Sequence, residues 1–499
     1  MKKPGISLCM IVRDEAAHLP KFLDCAAGLW DELCVVDTGS NDNTIEILRE
    51  QNAVIKQVEW QNDFAFHRNQ SLDLAKMQWV VFLDPDELVG PDTVQEIRNL
   101  ASDDNLQAGA ATIIIRDRWP NGTVRDKRLL RVFRNEPQVR FRVPIHEEVT
   151  SSVTTMLQEK NLGLAHLQGI VEHVGYLRET AVEKDKKNRD CDILQKVLQK
   201  DPEDLYSWYR LLDVARYWND SILLKTNAKK ALEVLHRSPT TNLPSFIGDL
   251  LVLIANALFK DNPNEQLLLL ERWRHRIPHH PALCAQLGIV NEALGNIESA
   301  KAYYLECLDS EQVTGDVALV TTTPTLGLAR LSMMQNHMGL ALQNVEAALA
   351  FNYKSIEAIY VGIGICGAAA ANEGVEDFSR AYKEKYGETN ELHAALGEYY
   401  FGKGDFAKSV PHFQISAGSP AAGRPALKLS QALFALGKYK DSKAVLNHIQ
   451  NHYPEAKLAL WIIEQIKDTK ETLHQEELSN YVNELLQPWV SALPKISGS

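Results

Sequence analysis

The sequence predicts an α/β domain built on a mostly parallel sheet, followed by an all-α solenoid. Up to about residue 180, short β-branched runs alternate with helical stretches, which is the order of βαβ units. Beyond about residue 184 that alternation ends, and apolar residues recur with the period of an α-helix. We therefore expect an α/β domain in residues 1–180, a helical connector in residues 181–200 and the solenoid in residues 201–499.

The N-terminal part contains candidate strands and helices in alternation. The strands are expected at residues 6–12, 33–37, 54–59, 79–84 and 111–116. The helices between them are expected at residues 15–29, 43–51, 64–76 and 91–101. Sheets of this kind bind ligands at the carboxyl ends of their strands. An Asn121-Gly122 pair between two extended segments further predicts an antiparallel hairpin.

The C-terminal part contains a recurring helical motif. The pattern in residues 396–420 recurs about 33 or 34 residues later, and an earlier copy lies in residues 287–308. The copies share small residues such as Gly288 and Gly397, and large aromatic ones. They resemble tetratricopeptide repeats, in which a small residue lets two helices approach and an aromatic side chain fills the gap.

Composition excludes several partners and locations. Lysine and arginine number 53 against 65 aspartate and glutamate, a formal net charge of -12, so we expect no nucleic-acid partner. The seven cysteines form no CxxC or CxxxC pair, which favours a reducing cytoplasm over a disulfide framework or a zinc site. The longest uncharged stretch, residues 358–372, is about 15 residues long and too short for a membrane span.

Two carboxylates at the end of the fourth predicted strand are candidates for a metal site. Asp84 and Asp86 stand at i and i+2 just past a buried strand, so we expect both to reach solvent at the strand end. Carboxylate oxygens suit Mg²⁺ or Mn²⁺ bridging a diphosphate. The alternative is an ordinary solvated acidic turn.

Further polar motifs follow the other strands in a fixed order. They are Arg13 to Glu15 after the first strand, Asp37 to Thr44 after the second, Arg68 and Asn69 in the third helix, and then residues 141–147 and 172–176. In this order the motifs resemble a family 2 glycosyltransferase of the GT-A type, over about residues 5–177. Such a domain has a Rossmann-like fold that binds a nucleotide sugar. Its fusion to tetratricopeptide repeats is similar to a recurrent bacterial arrangement, which includes peptide and protein glycosyltransferases.

The resemblance implies a role for each of these residues. The nucleotide-sugar donor would be bound by Arg13, Glu15, Asp37, Arg68 and Asp84. In that set Asp37 would accept a hydrogen bond from uracil, and Asp84 would lie near the ribose. The cofactor would be Mg²⁺ or Mn²⁺, bound by Asp86, Asp84 and His173.

Each of these roles has a structural alternative. Residues 40–44 could only cap the next helix, because Ser, Asp and Asn satisfy free N–H groups at a helix start. Arg68 could be a solvated arginine on a helix face. His173 could be a satisfied structural histidine, and His166 is another candidate for the ligand.

Inversion at the sugar carbon needs a general base on the acceptor side. The best candidates are His146, Glu147 and Glu148, with Glu147 as the first choice. The alternative is that they are surface charges in a loop. The surrounding sequence is rich in basic residues, which could neutralise a phosphate group, although some of them must face solvent. They are Arg116, Arg118, Arg125, Lys127, Arg128, Arg131, Arg134, Arg140 and Arg142.

These observations favour a cytoplasmic, metal-dependent, inverting transferase of a hexosyl or N-acetylhexosaminyl group. The donor would be a nucleotide sugar, with UDP favoured, and the repeats would hold a peptide or protein acceptor. We expect the first solenoid helices, around Trp208 and Tyr209, to complete the acceptor side. One alternative is an inactive transferase domain on a scaffold that binds protein partners. Another is a transferase for a lipid-linked or cell-envelope acceptor.

Overall fold

The fold is taken from a computed structural model. It describes residues 2–103, 107–118, 124–174, 180–218, 220–238, 243–244, 246–310, 315–418, 423–450, 456–457 and 459–460. These residues divide into two compact units, one ending at Val320 and the other starting at Thr321. The expected Asn121-Gly122 turn lies outside the described residues.

The first unit is built on a mixed sheet. Its strands are β1 Lys3–Val12, β2 Glu32–Asp37, β3 Val54–Gln57, β4 Met77–Phe82, β5 Glu87–Val89, β6 Ala108–Arg118, β7 Val124–Arg134, β8 Gly163–His173 and β9 Gly315–Asp316. Its order is β3-β2-β1-β4-β7-β6-β8-β5, with β9 also paired to β7. Strands β1 to β4 run parallel, and β7 is antiparallel to both β4 and β6. The expected parallel pairing of β1 to β4 and the expected antiparallel pairing of the two hairpin strands, β6 and β7, are therefore confirmed, whereas the sheet as a whole is mixed.

The parallel strands are buried on both faces, which explains their unbroken apolar sequence. Ile6, Leu8 and Met10 of β1 have no exposed surface, and Trp79 of β4 is buried beside them. Strands covered by helices on both sides read as continuous hydrophobic runs rather than alternating ones. Each fully buried side chain of this size contributes about 1.5–3 kcal/mol. This core fixes the carboxyl ends of β1, β2 and β4 at one edge of the sheet.

Five helices accompany the strands. They are α1 Leu19–Cys25, α2 Thr44–Glu50, α3 Phe64–Leu74, α4 Pro91–Ser102 and α5 Thr150–Lys160. The helix expected at residues 15–29 is shorter and covers Leu19–Cys25, while the N–H groups of Glu15 and Ala16 before it donate to the side chains of Thr44 and Asp42. The sequence does not predict β5 or α5. A strand of three residues is too short to show a periodic pattern.

A helical region completes the first unit. It comprises α6 Thr180–Lys200, α7 Leu205–Tyr217, α8 Ser221–Arg237, α9 Ile247–Phe259, α10 Pro263–Arg274, α11 Pro281–Ala293, α12 Ile297–Leu308 and the short 3-10 helix Val317–Val320. After α12 the chain returns to the sheet, where Asp316 of β9 pairs with Lys127 of β7. Arg125 reinforces this pairing with an ion pair to Asp316 at 2.7 Å.

The compact units differ from the expected domains because helices α6 to α12 share one unit with the sheet. The expected boundaries at residues 180 and 200 mark the change in sequence pattern. As domain limits they stay predictions.

The second unit consists of helices. They are α13 Thr322–Met334, α14 Met338–Phe351, α15 Ile356–Tyr386, α16 Asn390–Gly402, α17 Phe406–Ser416, α18 Gly423–Ala435 and α19 Tyr439–Ile449. The uncharged stretch 358–372 lies inside α15. Among the described helices none combines the length and the hydropathy needed to cross a membrane.

Small residues let paired helices approach, as the repeat pattern predicts. A Cβ atom added at Gly397 of α16 would lie 2.6 Å from the Phe413 ring of α17. The earlier copy in the first unit repeats this contact, with Gly288 of α11 against Tyr304 of α12 at 2.5 Å. Both aromatic rings are fully buried. The glycine-aromatic pairing therefore fixes the distance between the two helices of a repeat.

Candidate active site

The loops that follow β1 and β2 are joined by side chain to backbone hydrogen bonds. Ser40 Oγ accepts from the Asp14 N–H at 3.0 Å, and Asp14 Oδ1 accepts from the Asn41 N–H at 2.7 Å. Asp14 has a left-handed backbone with φ 52°, a conformation that Asp tolerates better than most residues. The two loops thus form one rigid rim at the carboxyl edge of the sheet.

Asp37, the last residue of β2, shapes this rim from within. Its side chain is buried, and its carboxylate accepts from the Gly39 N–H at 3.2 Å and from both the N–H and the hydroxyl of Ser40. These three internal donors already occupy the Asp37 carboxylate in this structure. Its contact with uracil stays a prediction. Asp42 Oδ1 accepts from the Thr44 N–H at the start of α2 at 3.0 Å, whereas the N-cap residue Asn43 makes no side-chain capping bond, so the alternative of helix capping holds only for Asp42.

Arg13 and Glu15 occupy the first of these loops. Arg13 is largely exposed and lies 4.0 Å from Asp14, while Glu15 contacts His18 Nδ1 at 2.8 Å. An exposed arginine at a strand end is available to a phosphate group. Their roles as donor ligands stay predictions.

Arg68 lies at the centre of a buried charge network. It is carried by α3, which Asp63 caps by accepting from the Phe66 N–H. Its side chain is only 5% exposed; Nη2 donates to Asp84 at 2.8 and 3.0 Å, and Nε donates to Glu147 at 2.8 Å. The alternative of a solvated arginine is therefore wrong. Burial alone would lower the pKa of Arg68, but Asp84 and Glu147 raise it above its usual value, so the guanidinium stays charged.

Asp86 and His173 meet through strand register. His173 ends β8, where it is the partner of Glu87 in β5 and of Asp117 in β6. This register brings Nε2 of His173 to 3.6 Å from Asp86 Oδ2, while Nδ1 lies 2.8 Å from Asp117 Oδ1. Burial lowers the pKa of His173, but the hydrogen bonds to Asp117 and Asp86 raise it to about 10.

The geometry of Asp86 and His173 fits a shared divalent cation. Two ligand atoms about 2.1 Å from one ion lie roughly 3.0–3.6 Å apart at ligand angles of about 90–120°, and the observed separation is 3.6 Å. Asp117 also orients the histidine from behind, as second carboxylates commonly do at metal sites. In the part of the chain that the structure describes, no three His, Cys, Asp or Glu side chains gather to hold an ion alone.

The three predicted metal ligands are thus not brought to one point. Asp84 is 34% exposed and faces Arg68, whereas Asp86 faces His173. Asp86 and His173 are the better pair, and the remaining ligands would come from the donor diphosphate and water. His166 cannot replace His173 as the metal ligand. It hydrogen-bonds with Thr112 and lies seven residues before His173 on β8, which corresponds to about 23 Å along a strand.

The candidate bases lie in a strained loop between β7 and α5. An isolated bridge between Arg142 and Glu148 closes this loop, and Val143 and His146 have φ values of 70° and 54°. A β-branched residue with positive φ is a true outlier, and such strain concentrates at functional sites. Glu147 is only 14% exposed because it points at Arg68. The alternative of a solvated surface charge therefore does not describe Glu147.

Most of the basic residues around the hairpin are neutralised by carboxylates. Examples are Arg116 with Asp126, Lys127 with Asp117, Arg131 with Glu87 and Arg140 with Asp73. The first three pairs are largely buried, and the Arg140 pair is exposed, but in each of the four the positive charge already has a carboxylate partner. The expectation of a broad phosphate-neutralising cluster is corrected accordingly for these four residues.

Three neighbours of the site are absent from the sequence predictions. Asp117 supports His173, and it could have been suspected as an acidic residue directly after the predicted strand 111–116. Tyr206 and Arg210 of α7 contact His146. The sequence predicts a helix around Trp208 and Tyr209 on the acceptor side, but it does not indicate these two contacts, because they join segments about 60 residues apart.

Comparison with known families agrees with the geometry. Residues 7–158 match the family model "Glycosyl transferase family 2", and residues 281–313 match a tetratricopeptide repeat model. An N-terminal family 2 domain with a C-terminal repeat region is therefore present, as the motifs predict. The first match ends inside α5, before β8 and His173.

Two relatives and one solved structure extend the comparison. A TPR repeat-containing protein of Synechococcus elongatus is 37% identical over 203 residues, which cover 40% of this chain and 50% of the relative. The SPbeta prophage-derived glycosyltransferase SunS of Bacillus subtilis is 26% identical over 207 residues, 40% of this chain and 47% of SunS.

The chain spans about half the length of these curated relatives. The solved structure is glucosyl-3-phosphoglycerate synthase from Mycobacterium tuberculosis in complex with Mn²⁺, UDP and glucosyl-3-phosphoglycerate. It is 15% identical, with a TM-score of 0.29, and the match covers 40% of this chain and 79% of the synthase.

Proposed function

We propose that this chain, which carries a family 2 glycosyltransferase domain at its N-terminus, transfers a sugar from a nucleotide-sugar donor with inversion. The observation that carries the proposal is the pair of networks at one edge of the sheet. One joins Asp84, Arg68 and Glu147, and the other joins Asp86 and His173. A charged network of this kind is costly to bury, and all of its residues except His173 lie within the family match at residues 7–158.

The Asp86 and His173 pair is assigned to Mg²⁺ or Mn²⁺. The ion would neutralise the diphosphate as it leaves the sugar. Asp117 holds the His173 ring so that Nε2 faces Asp86. Asp84 is assigned to the donor ribose, and the bonds from Arg68 fix its carboxylate in place before the donor arrives. Such preorganisation lowers the cost of ordering the site during the reaction.

Glu147 is assigned as the general base. Arg68 holds Oε1 of this carboxylate, which leaves Oε2 to take the proton of the acceptor as the bond to the sugar forms. A base must lie within hydrogen-bond reach of the proton it abstracts. Glu147 shares Arg68 with Asp84, so the base and the donor ligand keep a fixed relation to each other.

The acceptor is proposed to be a peptide or protein bound by the repeats, and the sugar a hexose or an N-acetylhexosamine. The repeat motif of residues 396–420 and its copy 33 or 34 residues later, both in the second unit, support this choice, since solenoids present extended surfaces that suit polypeptides. A chain of residues 1–320 would keep the complete first unit. We expect it to release nucleotide slowly from the donor but to transfer poorly to the true acceptor. Transfer at the full rate would show that the second unit does not bind the acceptor.

The activity is tested with a panel of nucleotide sugars. Purified protein is incubated with each donor in Mn²⁺, and released nucleotide is followed by mass spectrometry. We expect release from a UDP-sugar, lost in Asp86→Ala and kept in Asp92→Ala, whose carboxylate is exposed on α4. If no donor is turned over and no nucleotide binds, the scaffold alternative gives the better account.

A further inference from the structure

Helix α7 contacts the strained loop that carries the candidate bases. The Tyr206 hydroxyl donates to the backbone oxygen of His146 at 2.9 Å, and Arg210 Nη2 donates to His146 Nδ1 at 2.9 Å. Tyr206 and Arg210 are four residues apart, so they lie on one face of the helix. One helical face therefore holds both the backbone and the side chain of His146.

The loop depends on outside support because its own backbone is unfavourable. Val143 and His146 both have positive φ, a conformation that persists only when the surroundings enforce it. Further support comes from the Phe64 N–H, which donates to the Pro144 oxygen at 2.7 Å. The contacts from α7 act at the residue next to Glu147, where a small backbone shift would change the position of its carboxylate.

Arg210 also determines which nitrogen of His146 carries the proton. A guanidinium only donates hydrogen bonds, so Nδ1 of His146 must accept. The proton of the neutral ring is then on Nε2. With Nδ1 occupied and Nε2 protonated, the ring has no nitrogen left to take a proton from an acceptor. The contact therefore favours Glu147 over His146 as the base.

Arg210 is held in place by its own neighbours. Its Nη1 lies 3.4 Å from Asp213 Oδ2, and its guanidinium lies 5.2 Å from the centre of the Tyr209 ring. Tyr209 in turn stacks on Phe246, with ring centres 5.7 Å apart. Because Asp213 and the aromatic pair belong to the helical region, the position of Arg210 is set by the packing of that region.

We propose that Tyr206 and Arg210 are positioning residues that hold His146 as a proton-bearing support and so aim Glu147 at the acceptor. This inference rests on the proposed function. It makes helix α7 part of the catalytic unit, although α7 lies outside the matched residues 7–158. Arg68 links Asp84 to Glu147. The contacts of α7 with the residue next to Glu147 therefore connect this helix to the donor side of the site.

The first test compares two arginines of α7. Arg210→Ala is expected to lower kcat by about 100-fold, the usual result of misplacing a catalytic group by about 1 Å, with the donor KM little changed. Arg210→Lys keeps a donor and should recover part of the loss. The matched control is Arg216→Ala, because Arg216 pairs with the same Asp213 at 2.6 Å and is partly exposed. Turnover by Arg210→Ala at the wild-type rate would overturn the proposal.

The second test separates a support from a base at residue 146. His146→Asn places an amide oxygen near the position of Nδ1 and tolerates a left-handed backbone, but it has no basic nitrogen. If His146 is a support, this variant loses about tenfold or less, while Glu147→Gln loses at least about 100-fold. An equal, large loss in both variants would assign proton transfer to the histidine and overturn the proposal.

A third measurement does not depend on activity. Proton-nitrogen NMR of the histidine rings identifies His146 as the signal missing from the His146→Asn spectrum. We expect the Nε2-protonated tautomer in the wild type and a mixture of tautomers in Arg210→Ala. If the wild type turns over no nucleotide sugar, the proposed function fails while this spectrum still decides the contact. A wild-type His146 protonated on Nδ1 would overturn the inference by itself.

Discussion

Arg68 donates from Nε to Oε1 of Glu147 at 2.8 Å, although the two residues are 79 positions apart in the sequence. The same guanidinium holds Asp84 through Nη2. A candidate donor ligand and the candidate base therefore share a single buried cation. A change that removes the hydrogen bonds of one of these three side chains is therefore expected to affect the other two.

Removing the shared cation should destabilise the fold as well as the site. Arg68→Ala leaves Asp84 and Glu147 without their partner, and breaking a buried ion pair typically costs about 3–5 kcal/mol. We expect the lower end of that range, because Asp84 is one-third exposed. The measurement is the free energy of unfolding in urea.

Arg49→Ala serves as the control, because Arg49 lies on α2 with an exposed partner at 4.0 Å. Its effect should stay within about 0.5 kcal/mol. Arg68→Lys keeps the positive charge, but its ammonium group cannot bind two carboxylates in the way that the planar guanidinium does. Equal stabilities of Arg68→Ala and wild type would show that the network contributes nothing to folding.

Asp117 should matter for metal affinity without binding the metal. Asp117→Asn weakens the support of His173, and the loss of a second carboxylate of this kind commonly lowers metal affinity by about 10- to 100-fold. Titration of Mn²⁺ in the presence of UDP, followed by electron paramagnetic resonance, measures this affinity. Asp126→Asn is the comparison, since Asp126 pairs with Arg116 on the same hairpin and not with His173. Equal Mn²⁺ affinities in both variants would remove Asp117 from the site.

Glu147→Gln should separate chemistry from donor binding. The amide can still accept from Arg68, so the network keeps its shape, but it cannot take a proton. Turnover should fall by about 100- to 10,000-fold, while UDP affinity stays near that of the wild type. Calorimetric titration of UDP checks binding, and initial rates check turnover. A loss of UDP affinity equal to the loss of turnover would place Glu147 at the donor instead.

Gly397→Ala tests the spacing of the repeat helices. The added Cβ would lie 2.6 Å from the buried Phe413 ring, and overpacking of this kind costs about 1–3 kcal/mol. Gly339→Ala in α14 is the control, because no atom lies within 4 Å of its Cβ position. The control should be neutral or slightly stabilising, by up to about 1 kcal/mol. The measurement is the midpoint of thermal unfolding. Equal midpoints for Gly397→Ala and Gly339→Ala would contradict the packing account.

Much of the fold could be predicted from the sequence because its signals are local. The buried strands β1, β2 and β4 show unbroken apolar runs, and the glycine-aromatic spacing indicates paired helices. β5 and β9 could not be predicted, since strands of three and two residues carry no period. Only the folded sheet supplies their partners in β8 and β7.

The candidate site was predictable in its residues but not in its connections. Asp84 and Asp86 stand together in the sequence, yet the structure turns one toward Arg68 and the other toward His173. That division depends on the register between β5 and β8, which the sequence does not display. The contact of Arg210 with His146 likewise follows from helix packing between distant segments.

The measurement that tests the central claim most directly is nucleotide release from the active donor with and without a chelator. If Asp86 and His173 hold a divalent cation against the diphosphate, release by the wild type should vanish in EDTA. It should return when Mn²⁺ or Mg²⁺ is added in excess, whereas Asp86→Ala should stay inactive under both conditions. Full release by the wild type in EDTA, or by Asp86→Ala in Mn²⁺, would contradict the assignment of this site.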